Sequence, residues 1–247
     1  MTPLVFVAIA GVFMLAGVVK GIVGLGLPTI SMALLALLMV PAEAAAWLVV
    51  PTLITNLWQL QPWRTIGPML RRLWGMQLGV CLGTWGAAWA LGAPAGEWAT
   101  VALGLALIAY AIWGLLGAQI HVKPASEKWL GPVIGATTGV VTAATGVFAL
   151  PAVPYLQSLG LQRDDLIQAM GIAFTISTLA LAGALLINGS YSAHAATFSI
   201  PMVVPALIGM HLGTRLRKVM PANTFRICFL VGLGLLGLYQ VIKALHG

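Results

Sequence analysis

The chain has 247 residues, 60% hydrophobic and 7% charged, whereas a soluble domain carries roughly a quarter charged residues. Five Asp and Glu residues are too few to solvate a surface, which excludes a free-standing soluble enzyme. The net charge of +7 sits in short hydrophilic gaps, the pattern of cytoplasmic loops, and leaves no basic stripe for nucleic acid.

Eight apolar runs follow one another at about 3–40, 43–60, 73–92, 97–119, 130–157, 165–187, 197–214 and 226–245, and about 20 apolar residues suffice to span a bilayer. The first begins Met1-Thr2-Pro3 without a charged region or cleavage site, so it reads as a retained membrane segment rather than a signal peptide. Inside it, Gly21-Ile22-Val23-Gly24-Leu25-Gly26-Leu27-Pro28-Thr29 interrupts the helix and predicts a hairpin of two short helices. Lys20, just before the break, is its one deep cation, placed either to attract an anion or to snorkel to the surface. The second run brings Thr52, Thr55, Asn56 and Gln59, and the third brings Gly79 to Thr84 around Cys81. After the fourth, a polar loop at 121–129 divides the chain into 1–120 and 130–247. The fifth run breaks between Thr137 and Gly146, with Thr142 and Thr145 inside and Pro151 and Pro154 following. The sixth carries Thr175, Ser177 and Thr178, the seventh His211 and the eighth Cys228. Both cysteines fall in apolar runs and read as packing residues, not a disulfide.

The halves resemble one another. Gly17 and Gly21 match Gly135 and Gly139; Thr55-Asn56 falls against Ser177-Thr178; Gly79 to Thr84 matches Gly209 to Thr214; Pro94-Ala95 matches Pro221-Ala222. Four matches in one order predict an internal duplication, a common plan among secondary transporters. Basic residues place the gaps around 64–72, 119–128, 158–164 and 215–226 in the cytoplasm and those at 93–97 and 188–196 outside. Run five then has both ends inside and crosses an even number of times. With run one folded alike, each half is a broken, re-entrant hairpin plus three crossings. The expected fold is an all-α integral membrane protein of two inverted repeats.

Irregular backbone at membrane depth is tolerated only where protein buries it or it lines a wet cavity. Helices starting at Pro28 and after Gly146 would present unpaired N–H groups and a dipole that favour an anion. The expected substrate site is therefore Gly24, Gly26, Thr29, Asn56, Thr145, Gly146 and Thr178, with a charge or proton role for Lys20 and His211. For any single glycine or hydroxyl, close helix packing and interhelical hydrogen bonding explain its presence equally well. No HExxH, GxSxG or phosphate-binding glycine loop occurs, and no paired carboxylates lie inside a run, so no enzyme, metal or cofactor is expected.

Gly17-x-x-x-Gly21-x-x-Gly24-x-Gly26, Gly135-x-x-x-Gly139, Leu212-Gly213-Thr214-Arg215-Leu216 and the tail from Gly232 to Tyr239 resemble the TauE/SafE family of sulfite exporters over about residues 5 to 245. Where many relatives have further glycines after the opening motif, this chain has Leu27-Pro28. The resemblance implies a multi-pass protein of the bacterial inner membrane that moves sulfite, sulfonates or related anions. The expected function is a secondary transporter working by alternating access, partnered by a small anion, the bilayer and a coupling ion (proton or sodium), with a homo-oligomer compatible. The alternatives are a non-transporting membrane subunit or intramembrane enzyme, and an anion channel.

Overall fold

The computed structural model describes residues 3–92, 94, 96–117, 121–191, 193–217, 219 and 222–246. Ala95 and Pro221, one of the four repeat matches, and Lys218 of the basic gap lie outside the described residues. Eleven α-helices make up the described chain: α1 (Pro3–Val23), α2 (Leu27–Leu35), α3 (Pro41–Gln59), α4 (Ile66–Leu91), α5 (Gly96–Leu116), α6 (Pro124–Thr145), α7 (Ala152–Ser158), α8 (Arg163–Ile187), α9 (Ala193–Ser199), α10 (Val203–Leu216) and α11 (Ala222–His246). Among the described residues there is no strand. By length and composition, five helical stretches can each cross a membrane: Pro3–Val23, Glu97–Leu116, Arg163–Ile187, Ala195–Leu216 and Phe225–Leu245.

Prolines set several starts. Pro28, Pro41 and Pro124 lie in the first turns of α2, α3 and α6, where a missing N–H costs nothing and the ring presets φ. Run one breaks at its glycines, with Gly24 and Gly26 at φ 85° and 114°, a region that side chains with a Cβ avoid. Run five breaks at Gly146, φ 69°.

The hairpins are not pairs of equal short helices. At 1.5 Å per residue, α1 and α6 are each roughly 32 Å long, enough to span the hydrocarbon, while α2 and α7 reach only about 14 and 10 Å. The break glycines sit late in each run, so the first arm takes most of the length. Run seven also departs from a single helix: Ile200–Met202 forms a 3-10 turn around Pro201, between α9 and α10, because proline removes the hydrogen bond that would continue the α-helix.

The glycines of the repeat motifs face one another. A Cβ added at Gly17 or Gly21 of α1 would lie 2.2 Å from the carbonyl oxygens of Ala206 and Met210 of α10. One added at Gly135 or Gly139 of α6 would lie 2.0 and 2.4 Å from those of Met76 and Val80 of α4. The reverse contacts also come in pairs: Gly209 and Gly213 meet Met14 and Val18, and Gly79 and Gly83 meet Pro132 and Ala136. Thus α1 packs on α10, and α6 on α4, backbone against backbone, where dispersion and Cα–H···O contacts replace side-chain packing. Gly104 of α5 and Gly237 of α11 approach each other in the same way. Arg72 of α4 also clasps Glu127 of α6, donating from Nε at 2.9 Å and from Nη2 at 2.7 Å.

The breaks and short helices lie inside this frame. Every residue from Gly24 to Ala33 is buried, as are Thr145 to Ala149. The core around them holds Phe13, Leu27, Met32, Trp47, Phe148 and Phe174.

Candidate functional site

Lys20 is 2% exposed. It sits one turn before the first break, and its buried side chain turns inward to α3, so it does not snorkel out. Nζ donates to Thr55 Oγ1 at 3.1 Å and to Asn56 Oδ1. Thr55 can accept because its own proton goes to backbone carbonyls, of Pro51 at 2.8 Å and Thr52 at 3.1 Å. Among the described residues no carboxylate pairs with Lys20; the salt bridge there is Arg72–Glu127. A cation buried in this way without a counter-charge is costly.

Asn56 is oriented by this contact. Lys20 Nζ donates to Oδ1, which leaves the amide Nδ2 facing away. Nδ2 is buried and meets no acceptor among the described residues. The buried hydroxyls of Thr52 and Thr29 are likewise without partners. Gln59, one turn past Asn56 on α3, donates from Nε2 to the carbonyl oxygen of Gly24 at 2.6 Å and so fixes the break against α3. The N–H groups of Leu25, Gly26, Leu27 and Thr29 meet no backbone acceptor, since the break donates only through Gly24 to Lys20 and Ile30 to Gly26. Gly26, at the N-cap of α2, has no side-chain cap. Donors therefore gather here from three sources: a lysine, an amide with hydroxyls, and the start of a helix. The arrangement suits an anion.

The second break is arranged differently. Thr145 donates to the carbonyl oxygen of Val141 at 2.7 Å and accepts the Val147 N–H at 3.1 Å, so its hydroxyl is spent closing the turn. Gly146 donates to Thr142, and a Cβ there would meet Met32 Sδ of α2 at 2.8 Å. The side chains that follow are Val147, Phe148 and Ala149, all buried. Thr178 donates into its own helix, to Phe174 O at 2.6 Å. Lys20 and Asn56 are thus joined, and Gly24 is tied to the same helix through Gln59, while Gly26 lies against Val19 and Phe229 with Thr29 on the first turn of α2. Thr145 and Gly146 reach the same short helix from its other side through Met32, about 9 Å of helix rise beyond Gly26. No hydrogen bond among the described residues joins Thr178 to Lys20. His211 lies apart: it is exposed and lines a cleft of about 460 Å³ with Trp58, Leu207, Met210, Thr214 and Arg215.

Several buried amides were not singled out as site residues from sequence. Gln168 of α8 donates to the carbonyls of Leu60 and Pro62 at 2.8 Å and accepts from Thr65, holding the end of α3. Gln240 of α11 donates to Ala33 O of α2 at 2.8 Å, and both polar atoms of Gln77 are buried without partners. Their signal was an amide inside an apolar run, where a polar group needs a reason. Among the described residues no group of three or more His, Cys, Asp or Glu side chains could hold a metal.

Comparison with protein-family models gives a match to the sulfite exporter TauE/SafE family over residues 9–240. No curated protein and no solved structure matches. With nearly its whole length matched, the chain belongs to the TauE/SafE sulfite exporter family of membrane transporters.

Proposed function

We propose that this protein is a secondary carrier of small sulfur oxyanions, sulfite or an organosulfonate, across the bacterial inner membrane. The observation that carries this reading is the buried Lys20–Asn56 pair, without an acid, beside the uncapped start of α2. A sulfonate presents three acceptor oxygens and one diffuse negative charge. A single ammonium, the Asn56 amide, the Thr29 hydroxyl and the N–H groups after Gly24 and Gly26 match it. Such donors hold the anion less tightly than a bidentate guanidinium, and a carrier must release what it binds. Thr145, Gly146 and Thr178 stand on the opposing wall, where the turn closed by Thr145 supplies the rigid partner surface.

The carrier is built from two repeats, 1–120 and 130–247, and the polar stretch 121–129 between them already enters α6 at Pro124. Supporting this, Gly17 and Gly135 differ by 118 positions while their contacts Ala206 and Met76 differ by 130, the offsets of the glycine motifs themselves. Each repeat packs its first helix on the third apolar run of the other, α1 on α10 and α6 on α4. The repeats are inverted, and alternating access moves one hairpin against the other around the anion. The test is counterflow of labelled sulfite and methanesulfonate in proteoliposomes. Saturable exchange is expected; no flux of either anion would remove the reading. Cysteine labels at 119–128 and 158–164 should both report the cytoplasm, and opposite faces would remove the inversion.

A further inference from the structure

The sulfur-anion reading leaves open what drives transport, and the donor count at Lys20 bears on it. Nζ has two acceptors, Thr55 Oγ1 and Asn56 Oδ1. A neutral amine has two N–H groups and satisfies both; an ammonium has three. The third makes no hydrogen bond among the described residues, in a position 2% exposed. Among the same residues Asn56 Nδ2, on the residue that Lys20 contacts, is an unpartnered donor, and Gln59 Oε1 one turn along α3 is an unpartnered acceptor; an anion's oxygens would accept from both the third N–H and Nδ2.

No other titratable group replaces it. Lys20 is the one such side chain of α1, and α2 contributes none. On α3, Glu43 is exposed in the first turn. On α10, His211 and Arg215 are exposed, and Arg217 just past its end is half-buried. On α11, Arg226, Cys228, Tyr239 and Lys243 are exposed. Ile167 of α8 approaches Gly24, but the acids of that helix, Asp164 and Asp165, are in its first turn and make no ion pair with Lys20.

We propose that Lys20 is the proton-coupling residue, taking up one proton with each monovalent anion and losing it when the anion leaves. Resting on the carrier reading above, this makes the cycle an electroneutral anion–proton symport. The amine lone pair accepts H⁺ from water as the anion enters; the resulting third N–H bonds an anion oxygen. On release, the proton returns to water with the anion, and the neutral amine resets with its two bonds to Thr55 and Asn56. A permanent ammonium would leave an unpaired buried charge to be carried back across the membrane, which the bilayer disfavours.

The test is calorimetric binding of methanesulfonate and sulfite to the purified wild-type protein in buffers of different ionisation enthalpy. Methanesulfonate is the sharper probe, since it has no proton of its own to exchange near neutrality. Uptake of about one proton per methanesulfonate is expected above the titration range of the anion-free site, with affinity falling about tenfold per pH unit there. Binding without proton uptake overturns the coupling and leaves the carrier reading standing. If neither anion binds, the carrier reading falls and the coupling with it. Lys20→Arg, whose guanidinium keeps its proton, should bind without proton uptake and support exchange but no uptake driven by a proton gradient. Proton-driven uptake by a folded Lys20→Arg or Lys20→Met protein would place the coupling elsewhere.

Discussion

The two breaks occupy matching places in the chain and differ in chemistry. At the first, Lys20 donates to Asn56 near an uncapped helix start, and Asn56, Thr29 and Thr52 each have a buried polar atom without a partner among the described residues. At the second, Thr145 closes its own turn and Val147, Phe148 and Ala149 fill the space. Position 138, which the 118-residue offset sets against Lys20, is a threonine that donates to Ile134 O of its own helix at 2.8 Å. The frame outside the breaks shows no such difference: α1 on α10 and α6 on α4 use the same glycine spacings and the same carbonyl contacts. Close backbone packing tolerates nothing but small residues, and both seams keep them. On the proposed carrier reading, the donors are needed at one break only, and the other is free to be an apolar surface.

The largest effect should come from breaking the shared frame. Gly17→Leu and Gly135→Leu each force a side chain into a backbone carbonyl 2.2 or 2.0 Å away, and helix backbones cannot yield as a side chain would. Each should cost on the order of 3–5 kcal/mol or prevent folding, read as lost monodispersity or lowered Tm in detergent. Equal losses are expected; tolerance of one alone would show that the seams are not equivalent.

Next comes the polar difference itself. Lys20→Met removes the cation and keeps the stem, so methanesulfonate binding should fall at least about a hundredfold, as for a lost charge-assisted bond of ~3 kcal/mol. Tm should change little, because exchanging the buried amine for an apolar group offsets the donor lost by Thr55 and Asn56. Thr138→Val should leave binding unchanged. A loss of binding in Thr138→Val to match that of Lys20→Met would make the two breaks functionally alike.

Gly146→Ala probes the second break as a turn. With φ at 69°, an alanine there costs about 1–2 kcal/mol of backbone strain, and Met32, whose sulfur would lie 2.8 Å from the new Cβ, must move along α2. A Tm decrease is expected with a smaller change in affinity than Lys20→Met produces. Met32→Ala should relieve the contact but not the strain, so only part of the decrease should be recovered.

Much of this was legible in the sequence. Apolar runs gave the helices, and the glycines of Gly24, Gly26 and Gly146 gave the breaks, because a positive φ has few other solutions. The paired glycine motifs were visible too, but which helices they joined was not: nothing local says that Gly17 meets Ala206 rather than a nearer segment. The unequal arms of the hairpins needed helix lengths, and the split at Ile200–Met202 needed the weight of Pro201. At the site, Lys20 and Asn56 were both candidates, yet their union depended on a contact 36 residues apart. Whether Thr145 and Thr178 offered their hydroxyls or used them locally depended on rotamers that a sequence does not carry.

Those rotamers support the smallest prediction. Thr178 is fully buried and donates to Phe174 O at 2.6 Å, a back-bond within one helix that adds little to an already bonded carbonyl. Thr178→Val keeps the shape and removes the hydroxyl, so stability should change by no more than about 1 kcal/mol. Its lone pairs accept and do not donate, which makes them poor company for an anion, and affinity for methanesulfonate should shift less than about twofold, below 0.5 kcal/mol. Asn56→Ala, at the position the repeat sets against Thr178, removes an acceptor from Lys20 and a free N–H from the site, and should weaken binding by about 1–3 kcal/mol. A Thr178→Val protein as impaired as Asn56→Ala would mean that the hydroxyl turns from Phe174 to the anion during the cycle. The second repeat would then contribute a donor only in a bound conformation.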